Sequence, residues 1–486
     1  MTKVRTLLAF FLLLPLAALS QVGFSPFTND FRPEEFAQRR AKVYDAIGDG
    51  AIGLVQGAPG PSGYVRFRQT NEFYYLCGIE VPHAYLLLDG TQRRAVLYLP
   101  HRNEGRERSE GTLLSAEDEA IIKQLSGIDA VYGLDLLAEH LGRLTGTTSV
   151  KTLYTPFSPA EGFATSRDLA VRSNNDVMAD PFDGQASRED RLVQLLHLRF
   201  PQFEVRDLSP TLDNLRLIKS PAEIALIKRA TILSGLALME CMRSTEPGIM
   251  EYELDAVAKY VYYRHGAQGE AYFSIIASGP NAPVAHYHAN KRRMEDGDLV
   301  LMDFAPDFGY YMSDLTRTWP VNGKFSPSQR ELFGIYIGCY RSILTAIRPG
   351  ATAQAILQDA VKEMDGILAG TKFSKPSYEK AANSFVDGFR ASARNPRARL
   401  GHWVGMATHD VGEESGPLRP GMVFTIEPGF RVPEEQINIR FEDLVVITET
   451  GAEILSRFLP MDIDGIEKLM REEGLLQHYP RAEMMK

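Results

Sequence analysis

Asp298-Leu-Val-Leu-Met-Asp303-Phe-Ala-Pro306-Asp-Phe-Gly309-Tyr-Tyr-Met-Ser-Asp314-Leu315 reads as two strands around a Pro-Asp-Phe-Gly turn signal. With the hairpin tip on Phe308-Gly309, Asp303 and Asp314 fall directly opposite each other, side chains on one face. Two carboxylates held that close repel unless a cation lies between them or one keeps its proton. The plainer alternative is a turn carrying two solvated acids.

The pattern recurs towards the C-terminus. Residues 422–427 read as a strand, 428–436 as a loop and 437–447 as a second strand, so Glu427 and Glu442 can face each other. Between the two acid pairs lies the Gly-rich stretch Gly401-His402-Trp-Val-Gly-Met-Ala-Thr-His409-Asp-Val-Gly. Four acids on strands with one or two histidines suit hard divalent ions such as manganese. Bridging carboxylates would hold two such ions close enough to activate a shared water.

The 486-residue chain is 44% hydrophobic, ample for two or more domains. Net charge is −9, and the absence of any Lys/Arg block points away from nucleic acid. Residues 1–20 read as a cleaved secretory signal: Lys3 and Arg5, a short apolar run broken by Pro15, then Ala18-Leu19-Ser20 before Gln21. This predicts export, periplasmic or secreted, with no stable membrane association after cleavage; an uncleaved anchor is the alternative. Cys77, Cys241 and Cys339 lie far apart in apolar surroundings and read as buried free thiols.

Strands at 51–56, 84–88 and 95–100, alternating with helices at 33–48 and from Ser115, predict an α/β N-terminal domain. Arg39, Arg40 and Lys42 are expected on the exposed face of the first helix. Residues 158–190 are polar and read as a long loop, and a helix resumes over 191–197. Ser220-Pro221-Ala-Glu223 is a capping box that opens a long helix, with Ile224, Ile227, Ile232 and Leu236 in its apolar stripe. Helices are expected near 251–265, 327–347, 353–368 and 377–392, packed on one side of antiparallel hairpins, an α+β domain. The expected division is 1–20 signal, 21–212 N-terminal domain and 213–486 catalytic domain.

Five stretches in order resemble the pita-bread metallopeptidases, in their aminopeptidase P and prolidase branch. They are Asn281-Ala-Pro-Val-Ala-His286-Tyr, the Asp303 to Asp314 hairpin with its Leu-Thr-Arg-Thr-Trp tail, His402 to His409, Pro420 to Gly429 around Glu427, and Ile439-Arg440-Phe-Glu442-Asp. The N-terminal stretches Phe67-Arg-Gln-Thr-Asn-Glu-Phe-Tyr-Tyr and Leu99-Pro-His-Arg-Asn-Glu look like the aminopeptidase P N-terminal domain, which in that family helps form assemblies; a homo-oligomer is therefore expected. The resemblance implies that Asp303, Asp314, His402, Glu427 and Glu442 bind two divalent ions, usually manganese, with Asp314 and Glu442 bridging. It implies that a metal-bridging hydroxide attacks the peptide carbonyl and that Glu427 carries the proton towards the leaving proline nitrogen. His286 and His409 would contact substrate, and Arg440 would pair with the acids or touch substrate. The implied activity is release of an N-terminal residue that precedes proline in a peptide.

Two departures stand out. The branch commonly carries a histidine four residues before the ligand histidine, where this chain has Ala398, which puts the proline-side contact and strict Xaa-Pro specificity in question. Bulky Phe304 follows Asp303 where small residues are usual. Competing readings are an Xaa-Pro dipeptidase, and, in another class, a non-catalytic binding protein on the same fold.

Overall fold

The structure, a computed structural model, describes residues 30–146, 150–162, 165–413 and 416–482. The expected signal, residues 1–20, lies outside them. Ala51–Gln56 (β1), Tyr85–Asp89 (β2), Arg94–Leu99 (β3), Ala130–Gly133 (β4), Thr152–Thr155 (β5) and Glu204–Asp207 (β6) form one mixed sheet in the order β4-β3-β2-β1-β5-β6. β1 to β3 run as an antiparallel meander, and β4, β5 and β6 add in parallel after helical crossovers. Period-two alternation splits the strands between two cores. Ile52, Leu54 and Leu87 join Leu141 and Leu196 on one face, while Val55, Leu86 and Leu88 join Phe36 and Leu212 on the other. The α/β layer is as expected.

Three local expectations are corrected. Arg39 and Arg40 are buried, not exposed. Helices Asn71–Cys77 and Glu119–Ser126 end against the first helix, and their last carbonyls need donors. Arg40 donates to Leu76 O (2.8 Å), Ser126 O (3.0 Å) and Gly127 O (2.7 Å), and Arg39 donates to Tyr75 O (3.1 Å). Replacing Arg40 by methionine strands those carbonyls, so urea unfolding is expected to show a loss of at least about 2 kcal/mol. The polar stretch 158–190 is not all loop: Arg167–Ala179 is a helix, capped by Ser166 accepting from Leu169 N. Ile232 and Leu236 lie on the exposed side of helix Pro221–Ser244, so the apolar stripe is narrower than expected.

The second half continues with Gly269–Glu270 (β7), Ile275–Ser278 (β8), Leu299–Phe304 (β9), Pro306–Phe308 (β10), Tyr311–Met312 (β11) and Leu315–Pro320 (β12). After helices Pro327–Ala346, Ala353–Gly370 and Pro376–Ser392 come Val423–Ile426 (β13), Gly429–Val432 (β14), Ile437–Arg440 (β15), Asp443–Ile447 (β16) and Ala452–Ile454 (β17). Val300, Met302, Phe304, Leu315 and Trp319 point into the helical core with Tyr336 and Tyr340. The alternate residues of the same strands, Asp303 and Thr316 among them, are thereby turned to the opposite face. Phe304, a departure in sequence, packs on Tyr262 with ring centroids 5.5 Å apart.

The register of the first acid hairpin also differs from expectation. Gly309 (φ 60°) and Tyr310 (φ 70°) are both left-handed, which makes them the two-residue turn. Asp303 therefore pairs with Thr316. Asp314 lies one diagonal step away on the same face, not directly opposite. In the second hairpin Ile426 pairs with Asp443, and β14 pairs with β15 in the same register. Glu427 and Glu442 are opposite as expected, but residues 428–436 hold a strand rather than a loop alone.

Candidate active site

Two hairpins meet through one bridge. Thr316 N donates to Glu442 O (3.4 Å) and Glu442 N donates to Thr316 O (2.9 Å), which sets β12, the strand that follows Asp314, beside Glu442. The His402 segment lies along β13: Thr425 N donates to His402 O (3.0 Å), and His402 N donates to Thr425 Oγ1 (3.2 Å). A Cβ on Gly401 would sit 2.0 Å from Thr425 O, so glycine is required for that approach.

This brings three of the predicted acids onto one imidazole edge. His402 Nε2 lies 3.3 Å from Glu427 Oε1, 3.5 Å from Asp314 Oδ2 and 3.9 Å from Glu442 Oε1. Ligand atoms of Asp314, His402 and Glu442 all fall within 4.8 Å of one another. Asp303 joins through Tyr272, whose hydroxyl donates to Asp303 Oδ1 (2.6 Å) and also contacts Asp314 Oδ1. Arg440 Nη2 pairs with Asp303 Oδ2 and reaches Thr316 Oγ1 (3.3 Å), and Thr316 Oγ1 donates to Glu442 Oε2 (2.6 Å).

These residues fit a divalent cation. His402 Nδ1 is held against Trp403 O at 3.2 Å, which turns Nε2 towards the acids. Glu442 Oε1 is buried without a hydrogen-bond partner, a costly state for a carboxylate oxygen that a cation would relieve. The donor set, carboxylate oxygens with one imidazole, is that of a hard or borderline metal.

The electrostatics say the same. Burial, then the Asp303 charge, raises the Asp314 carboxyl to about 7 against the pull of His402. Burial and the charges of Asp314, Glu427 and Asp303 push Glu442 well above the usual carboxylate range. Burial alone would lower His402, but Asp314 and Glu427 hold it up to about 9. Burial pushes the Tyr272 hydroxyl up, and the two aspartates add to it.

The two further histidines sit differently. The His409 ring lies over His402, centroids 4.1 Å apart. Burial and the His402 charge lower its pKa, opposed by Asp168 and Glu427 and assisted by His286. His286 is exposed on the loop after β8. The N-terminal half reaches this site: Thr165 O accepts from Thr408 N (2.8 Å) and His409 N (3.3 Å), and Asp168 Oδ1 lies 3.6 Å from His409 Nδ1. Tyr272 and Asp168 are not marked in the sequence, since no spacing links them to the acid strands; Thr316, two residues after Asp314, shares that acid's face by strand alternation but carries no charge to mark it.

Residues 225–449 match metallopeptidase family M24, and residues 36–154 match the aminopeptidase P N-terminal domain. Xaa-Pro aminopeptidase of Escherichia coli K12 is 32% identical over 467 residues, 91% of this chain and 98% of that protein. The chain belongs to the aminopeptidase P family. A mitochondrial intermediate cleaving peptidase 55 from Arabidopsis thaliana is 30% identical, covering 91% of this chain and 84% of its own length. The solved structure of E. coli aminopeptidase P with the inhibitor Pro-Leu superposes with a TM-score of 0.71 at 29% identity, over 91% of this chain and 98% of that one. Membership makes the chain a metallo-aminopeptidase with a pita-bread catalytic half, and it removes the reading as a non-catalytic binding protein.

Proposed function

We propose that the chain is an exported Xaa-Pro aminopeptidase that uses two divalent ions, manganese by preference, held by Asp303, Asp314, His402, Glu427 and Glu442. The observation that carries it is the His402 Nε2 edge facing three carboxylates, with Nδ1 tied back to Trp403 O. Ions bound there would supply an activated water and polarise the scissile carbonyl. The relatives' activity supports the substrate class, peptides with proline in second position. Glu427, the most exposed of the four acids, takes and returns the proton, with Thr425 Oγ1 steadying Oε1 at 3.3 Å. His286 and His409 donate to the substrate or the tetrahedral intermediate. Arg440 neutralises Asp303 and keeps its carboxylate oriented.

The test is hydrolysis of an Xaa-Pro dipeptide, an Xaa-Pro pentapeptide and an Xaa-Ala pentapeptide, with manganese and with chelator. Chelator-sensitive release of Xaa from the proline pentapeptide supports the reading. Cleavage of the dipeptide alone would make the chain a prolidase. Cleavage of the Xaa-Ala peptide would mean that Ala398 has relaxed the proline site. N-terminal sequencing of exported protein checks the signal, and material starting at Met1 would refute cleavage.

Metal uptake must displace protons. In the metal-free protein His402 holds its proton up to about pH 9, and Asp314 up to about pH 7. Below about pH 9 manganese binding is therefore expected to release protons, and apparent affinity to weaken steadily as pH falls through 7. Calorimetric titration in buffers of different ionisation enthalpy reads the proton count; pH-independent affinity across that window would rule out this ligand set.

A further inference from the structure

Glu251 opens helix Glu251–Arg264 and is completely buried. It does not cap the helix; Glu253 accepts from Met250 N (2.7 Å) and does that. Its carboxylate instead gathers five hydrogen bonds, two from Ser278 at the end of β8 and three from the loop that follows. Oε1 accepts from Ser278 N (2.9 Å), Ser278 Oγ (2.7 Å) and Asn281 Nδ2 (3.2 Å). Oε2 accepts from Tyr287 OH (2.8 Å) and Arg292 N (3.0 Å).

Among the described residues no cationic side chain forms an ion pair with it. The nearby Arg292 guanidinium is spent on Ser278 Oγ (2.9 Å) and Asp298 Oδ2 (2.5 Å). A buried carboxylate without an ion pair is costly unless donors surround it. Here the donors come from both sides of His286: Asn281 precedes it and Tyr287 follows it. Two further ties fix the loop's ends: Asn438 Nδ2, two residues before Arg440, donates to Ala282 O (2.7 Å), and Asn290 Nδ2 donates to Ser274 O (2.8 Å). The loop is thus held from beneath while the His286 side chain stays free at the surface.

We propose that Glu251 is the positioning residue for His286, holding that histidine's loop in the geometry that meets substrate. The inference rests on the reading of His286 as a substrate contact. Glutamine has the same shape but one acceptor oxygen and an N–H₂ group, so it would set donors against donors on one side of the knot.

Glu251→Gln is expected to lower kcat/KM on the proline pentapeptide by about ten- to a hundredfold, the cost of a misplaced contact. Tyr287→Phe, which removes one donor and spares folding, is expected to give a smaller loss in the same sense. The deciding measurement is a double-mutant cycle with His286→Ala, with bound metal and Tm recorded for each variant. If Glu251 acts through His286, Glu251→Gln costs almost nothing in the His286→Ala background. Equal losses in both backgrounds would overturn the proposal and leave His286 as a substrate contact. A silent His286→Ala would overturn both, and wild-type kcat/KM in Glu251→Gln and Tyr287→Phe would overturn the positioning role alone.

Discussion

Replacing Glu427 by alanine is expected to cut kcat/KM on a proline pentapeptide by about 10³-fold or more, because under the function proposed above one substitution removes both a metal ligand and the proton carrier. The geometry singles this acid out. Glu442 and Asp314 side chains are 2% and 6% exposed, whereas that of Glu427 is 30% exposed while still 3.3 Å from His402 Nε2. Only an acid reachable from solvent and close to the metal face can pass a proton from water to a departing nitrogen. Glu427→Gln separates the two roles: it keeps an oxygen ligand but carries no proton. It is expected to hold more manganese than the alanine variant and to be nearly as inactive. Turnover by Glu427→Ala within tenfold of the parent would remove Glu427 from the chemistry, whatever its metal content.

Why sequence could reach this site while misreading its register is a matter of parity. Placing the hairpin tip one residue early changes each partner by two positions, from Asp314 to Thr316 opposite Asp303. A two-position slip preserves the face, so the acids stay together. The misreading arose because Tyr310 adopts a left-handed φ that its residue type does not advertise. Local periodicity puts Arg39 and Arg40 on the exposed face because their partners, carbonyls of distant helices, are invisible to it. Helix Arg167–Ala179 carries no apolar stripe in the sequence, because only Ala170 among its residues is buried. Tyr272 reaches Asp303 and Asp314 only once β8 lies beside β9. The family resemblance supplied the choice of His402 over His409; spacing alone left both open.

Arg216→Met is expected to destabilise the protein by about 3–5 kcal/mol, the usual cost of removing one partner from a buried charge cluster. Arg216 sits where the halves join, on helix Ser209–Leu217. Its Nη1 lies 3.0 Å from both Glu72 Oε1 and Glu161 Oε1, and its Nη2 lies 2.6 Å from Asp410 Oδ1. Arg167 supports the glutamates and Lys219 supports Asp410 at 3.0 Å, but neither can serve both sides. The loss should depend on pH with a definite sign. Burial, then the Glu161 charge, raises Glu72 to about 7 despite the two arginines. A carboxyl raised in the folded state binds its proton more tightly folded than unfolded, so its ionisation costs stability as pH rises from the ordinary carboxylate value through about 7. Without Arg216 the carboxyl rises further, and the penalty extends to higher pH. The difference between variant and parent should therefore widen from mildly acidic to alkaline pH and shrink towards acid, where Glu72 is neutral in both. Urea unfolding at matched pH values measures it. A difference under about 1 kcal/mol that does not change with pH would mean that the cluster relaxes around the missing guanidinium. The same variant bears on catalysis, since Asp410 follows His409 directly and Thr165 of the N-terminal half holds the His409 backbone. Loosening the joint between the halves should raise KM before it lowers metal content, because the four acids and His402 belong to the second half alone.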